Sequence, residues 1–105
     1  MKIEIKSCVD GSVLYFHEQY GNTMKITLEL AVKAGAELNY AELNYAKLNG
    51  AKLNDAKLNG AELNHAELNG AKLNGAELNG AEYGLSIPKP LIEIAAKLHG
   101  IIKGE

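Results

Sequence analysis

Residues 36–80 are nine uninterrupted copies of a five-residue unit, Ala-Glu/Lys-Leu-Asn-x, and a tenth copy begins at Ala81-Glu82-Tyr83. The first and third positions are always Ala and Leu, the second is always charged and the fourth is always Asn. The fifth runs through Tyr40, Tyr45, Gly50, Asp55, Gly60, His65, Gly70, Gly75 and Gly80. So strict a repeat over nearly half of a chain specifies a solenoid, in which each unit rests on its neighbours, and says little about chemistry.

A period of five excludes the simple alternatives. Leucines five apart on an α-helix step by about 140° and spread around the whole surface, leaving no apolar stripe. On a straight strand, whose faces alternate with period two, Leu38 and Leu43 point to opposite sides. A corner in every unit returns the leucines to one side, with Ala and Leu, two residues apart, both pointing inward. Asn-Gly at 49–50, 59–60, 69–70, 74–75 and 79–80 suits such a corner, because Gly tolerates positive φ and Asn bonds locally to the backbone. Leu and Ala at fixed spacing also argue against a disordered tract.

Ala36-Glu37-Leu38-Asn39-Tyr40 and its eight successors resemble the pentapeptide-repeat family, whose general pattern is Ala, Asp or Asn, Leu and two variable residues. The resemblance implies a right-handed quadrilateral β-helix over about 36–83, with four units to a coil, Ala and Leu inside and the other three positions in water. The second position here is Glu or Lys in place of the family's usual Asp or Asn. Corner hydrogen bonds from that short side chain therefore do not carry over; either they are lost, or Asn at the fourth position supplies others.

With four units to a coil, residues n and n+20 stack in adjacent strands about 4.8 Å apart. Glu37, Lys57 and Glu77 then alternate in sign, as do Lys47 and Glu67, whereas Glu42, Glu62 and Glu82 make an acidic column and Lys52 and Lys72 a basic one. Opposite charges across strands are expected to help slightly and like charges to oppose. The same register sets Tyr40 near Gly60 and Gly80, and Tyr45 near His65. These aromatics either pack on the preceding segment or anchor a protein partner.

The flanks read as caps, dividing the chain into 1–35, 36–83 and 84–105. Lys2 to Lys6 alternates, Asp10-Gly11 marks a turn and Val13 to His17 resumes an extended run, which predicts a hairpin. Met24, Leu28, Ala31 and Val32 share a helical face, with Asn22 and Thr23 as candidate N-caps and Gly35 as the stop. Met1 to Lys6 and Ala31 to Ala36 are similar to the opening of some uncharacterised bacterial and phage members of the same family. After Pro88 and Pro90, the stripe Leu91, Ile94, Ala95 and Leu98 predicts an amphipathic helix. That helix either lies over the last coil or joins a second copy; the two uses are compatible. Nearly identical units tolerate slippage by one repeat, so atypical ends must define the register.

Composition narrows the function. The chain has 105 residues, 11 Lys and no Arg, 13 Asp and Glu and a net charge of −2, which gives no basic footprint for nucleic acid. No apolar run is long enough for a membrane span, Met1 to Cys8 lacks the core of a signal peptide, and a lone Cys8 suits a reducing cytoplasm. His17, His65 and His99 are too scattered for a metal site, and Asp55 has no evident catalytic partner. The expectation is a non-enzymatic, cofactor-free structural or interaction protein, forming a homodimer through a terminal region. Tyr40, Tyr45, His65, Leu91, Ile94 and Leu98 are its candidate contact residues. The resemblance supplies an alternative, since some larger members mimic DNA toward a type II topoisomerase; here Lys47, Lys52, Lys57 and Lys72 interrupt the acidic surface.

Overall fold

A computed structural model describes residues 1–83. The expected terminal helix, with Leu91, Ile94, Leu98 and His99, lies outside the described residues.

Two strands, β1 (Lys2–Lys6) and β2 (Val13–Glu18), form an antiparallel hairpin. Its turn is built from short polar side chains. Gly11 sits at φ 75°, and the Asp10 carboxylate accepts the Ser12 N–H at 2.9 Å, which also holds its pKa below the ordinary carboxylate value. The register shifts between Ile5↔Tyr15 and Lys6↔Val13, so Leu14 is an extra residue in β2. This bulge lets the consecutive Leu14 and Tyr15 both pack on the core, which strict alternation forbids.

Helix α1 (Met24–Lys33) follows. Thr23 is its N-cap, with Oγ1 accepting the Ile26 N–H at 3.1 Å. Asn22 does something the sequence does not announce. Buried at 5% exposure, it donates from Nδ2 to the carbonyls of Met1 and His17, and its Oδ1 accepts from Thr23 N–H and Thr27 Oγ1. One amide thus fastens both hairpin ends to the start of the helix. At the other end Ala36 N–H reaches the Ala31 carbonyl and Gly35 N–H that of Val32, with Gly35 at φ 74°; this is a Schellman closure.

From residue 36 the chain returns beneath itself every twenty residues. Parallel bridges join Glu37↔Lys57, Glu42↔Glu62, Lys47↔Glu67, Lys52↔Lys72 and Lys57↔Glu77. The last rungs are long enough to count as strands, β3 (Glu62–Leu63) and β4 (Glu82–Tyr83), paired in parallel. Each unit closes a turn in which Ala N–H reaches the Leu carbonyl three residues back at 3.0 to 3.2 Å. The leucines of all nine units are buried and, with most of the alanines, make one core that includes Ile5 of β1 and Leu28 and Ala31 of α1.

Between these tiers nearly every backbone donor has a regular destination. Leu43 N–H bonds the Glu62 carbonyl, Tyr45 N–H the Asn64 carbonyl and Glu62 N–H the Ala41 carbonyl, and equivalent positions repeat the pattern. The donor left over is that of Asn itself. It is taken by the side chain of the Asn one tier above: Asn59 N–H to Asn39 Oδ1, Asn64 to Asn44, Asn69 to Asn49 and Asn79 to Asn59, at 2.9 to 3.0 Å. Asn54 makes no such bond to Asn74, so the ladder accounts for Asn at the fourth position in four of the first five units.

The first tier has no tier above it, and the preceding segment substitutes for one. Lys6 carbonyl accepts the Glu42 N–H at 2.7 Å, and the Glu29 carboxylate of α1 accepts the Lys52 N–H at 2.8 Å. Asn44 N–H turns to its own neighbour, Glu42 Oε1, at 2.9 Å. An open edge is thereby covered by one strand end and one helix side chain.

Candidate interaction surface

Every fifth position has positive φ, between 60° at His65 and 75° at Gly75. It is the third residue of a turn closed from Ala to Leu, where type II geometry demands the left-handed region. Glycine is at ease there, whereas a residue with a Cβ costs about 1–2 kcal/mol. Five of the nine units use Gly; Tyr40, Tyr45, Asp55 and His65 do not. The backbone of the repeat therefore gives no reason for two tyrosines and a histidine to stand where they do.

Their rings run down the stack. Tyr45 lies on His65, one tier below, with centroids 5.0 Å apart and planes 16° from parallel. Tyr40 lies over Gly60 so closely that a Cβ on Gly60 would meet Tyr40 Cε1 at 2.5 Å. Both remain open to solvent, Tyr40 at 52% and Tyr45 at 71%. Between these corners stand Glu42, Glu62 and Glu82, one below another. Cys8 borders the same face: its N–H donates to the Tyr40 carbonyl at 2.7 Å and its thiol points to the Gly60 carbonyl at 4.0 Å. Burial, then the neighbouring Glu62 carboxylate, push the thiol pKa up, so Cys8 stays protonated and is a poor nucleophile.

Asparagine amides, and not lysines, answer the glutamates. Asn44 Nδ2 donates to Glu62 Oε1, Asn49 to Glu67, Asn59 to Glu77 and Asn64 to Glu82, at 2.9 to 3.1 Å. The rule is positional: Asn at n reaches residue n+18 when that residue is Glu. Asn39 and Asn54 face Lys57 and Lys72 by the same rule and make no such bond, since an ammonium offers only donors. Among the described residues the close ion pairs are Lys2–Glu4 and Lys6–Glu4 in the hairpin. The charge columns expected from the sequence thus exist as neighbours without forming contact ion pairs, and the acidic column is held by amide donors.

Other candidates are placed apart. His17 Nε2 pairs with Gln19 Oε1 at 2.7 Å in the hairpin, far in sequence from His65 in its corner. Among the described residues no group of three or more His, Cys, Asp or Glu could hold a metal ion, and no helix is long and apolar enough to cross a membrane. Asp55 covers Gly75 one tier below. The Asn–Glu ladder had a signal in the sequence, the invariant Asn, but its partner eighteen residues away is visible only once the tier length is known.

The family model for pentapeptide repeats matches residues 46–82, in eight copies. A pentapeptide-repeat domain is present. Such repeats generally serve as non-catalytic structural or interaction modules. The match starts ten residues after the repeat does by eye, yet Leu38, Tyr40 and Leu43 make the same backbone bonds as their counterparts below. No curated protein and no solved structure matches the chain significantly.

Proposed function

We propose that residues 36–83 form a right-handed quadrilateral β-helix that serves as a non-catalytic scaffold for protein contacts. In this reading residues 1–35 cap its first coil, and the chain self-associates through a terminal region. The observation that carries the reading is the division of labour within each unit. Ala and Leu fill the interior, Asn closes the backbone between tiers, and only the second and fifth side chains are left to meet anything else. A core packed in this way leaves specificity to surface decoration, with Tyr40, Tyr45 and His65 as the contact residues of the repeat and Leu91, Ile94 and Leu98 as those of the terminal segment. The DNA-mimic alternative has less support, because Lys52 lies directly above Lys72 and breaks any continuous acidic wall.

Light scattering coupled to size exclusion tests self-association by separating a mass of 11.3 kDa from its double. Polar replacement of Leu91, Ile94 and Leu98 together should abolish the dimer. A monomer at every concentration rejects self-association.

A further inference from the structure

The face framed by Tyr40 and Tyr45 has a composition that selects its occupant. Three of the four departures from Gly at the fifth position, Tyr40, Tyr45 and His65, fall on two neighbouring corners. Every fifth position adopts the left-handed region, but only residues with a Cβ bear its penalty, and side chains kept there despite that cost point to a use beyond folding. The side between those corners carries Glu42, Glu62 and Glu82 at the second position, and all three are acidic. The other sides carry Lys52 and Lys72, or mixed charges. Aromatic rings beside carboxylates make a complement for a planar cation: a guanidinium lies flat on a tyrosine and donates in its own plane to a neighbouring carboxylate.

From this we propose that the Tyr40–Tyr45 face docks an arginine-bearing segment of a different protein. The proposal rests on the interaction-module reading above and names the partner's chemistry. A second copy of these 105 residues cannot supply the guanidinium, because they contain no arginine. The carboxylates are already oriented: Asn44 holds Glu62 through Oε1, and Glu42 is fixed by the Asn44 N–H. A guanidinium on Tyr40 or Tyr45 therefore meets acceptors whose positions are set before it arrives, which lowers the ordering cost of binding. Lysine, a compact ammonium, offers the same charge but can neither lie flat on a ring nor donate in a plane to a neighbouring carboxylate, and so gains less from this face.

The test titrates the full chain with an octapeptide of alternating Gly and Arg, following backbone and ring resonances by NMR, with Gly-Lys and Gly-Glu octapeptides as comparisons. The arginine peptide should shift the signals of Tyr40, Tyr45, Glu62 and His65, bind at least fivefold more tightly than the lysine peptide, and weaken as salt is added. Tyr40→Gly combined with Tyr45→Gly should cut binding at least tenfold while leaving the melting temperature unchanged or higher, because glycine suits both corners. Glu62→Gln, which keeps the acceptor for Asn44, should weaken binding without unfolding the chain. Equal response to all three peptides, shifts confined to the Lys52 and Lys72 side, or a double glycine variant that melts lower and binds as before would each overturn the proposal. A chain that is dimeric by light scattering but silent to the arginine peptide overturns it too, and leaves the proposed scaffold function standing.

Discussion

Asn44 grips Glu62 across the boundary between tiers: its Nδ2 donates to Glu62 Oε1 at 2.9 Å while its Oδ1 accepts the N–H of Asn64. Both ends of one amide are thus committed to the tier below. Asn44→Ala removes both bonds and leaves the Asn64 N–H without its acceptor, which should cost about 1–3 kcal/mol in urea unfolding. Glu62→Gln retains an oxygen in place and should be close to neutral. Glu62→Lys presents donors to a donor and should be the worse of the two. By the same logic Lys57→Glu supplies the acceptor that Asn39 lacks, but it shifts the charge by two units and places a carboxylate between Glu37 and Glu77, so the two effects should offset to within about 0.5 kcal/mol. Leu58→Lys, one residue on, puts a charge in the sealed core and should prevent folding.

The fifth position separates two costs that are usually mixed. Gly70→Ala meets nothing closer than the Gly50 backbone at 3.9 Å, so it carries only the penalty of a Cβ at positive φ, about 1 kcal/mol. Gly60→Ala carries that penalty and also displaces the Tyr40 ring, and should be clearly the more destabilising of the pair. In a Tyr40→Gly background the two alanine variants should become alike. A double-mutant cycle measured by thermal unfolding checks this, and an unchanged difference would show that the ring does not set it.

What the sequence revealed and what it concealed follow from the range of the interactions. The inward leucines and the corner at each fifth residue are local consequences of a period of five, and Asn-Gly advertises the turn. Asn22 and Glu29 carry no such signal, because their partners, Met1, His17 and Lys52, are fixed only by the three-dimensional path. Tyr40 and Tyr45 were visible as departures from the repeat. Their strain was not, since positive φ at the fifth position follows from the closed turn and has no residue code when Tyr occupies it.

Asn22 ties the first 35 residues to one another, and Glu29 ties them to the repeat. Asn22→Ala removes the oxygen that accepts from the buried Thr27 hydroxyl and the Thr23 N–H, and one donor each from the Met1 and His17 carbonyls, and should cost about 1–3 kcal/mol. Glu29→Ala uncovers the Lys52 N–H at the first tier's edge, in an exposed setting, and should cost less, about 1 kcal/mol. Hydrogen exchange would locate the second effect: the Lys52 amide should exchange faster in Glu29→Ala, while the Lys72 amide, bonded to the Ala51 carbonyl, keeps its protection. Equal acceleration of both amides would mean that Glu29 supports the whole stack and not one edge donor.

Tyr83 should make the fold sensitive to alkali. Burial raises its phenol pKa from 10 to about 12, and its hydroxyl is a buried polar atom without a hydrogen-bond partner among the described residues. Because the folded-state pKa lies above the unfolded one, the folded protein holds this proton more tightly. Tyr83's contribution is therefore complete below about pH 10 and declines as pH rises toward 12. The chain should lose stability over that window, in step with ionisation followed by ultraviolet absorbance. Tyr83→Phe removes both the ionisation and the unpartnered hydroxyl while keeping the ring against the core. It should be at least as stable as the parent at neutral pH and less sensitive between pH 10 and 12. A variant that is weaker at neutral pH and just as sensitive to alkali would show that the hydroxyl contributes to the fold and that another group controls the alkaline transition.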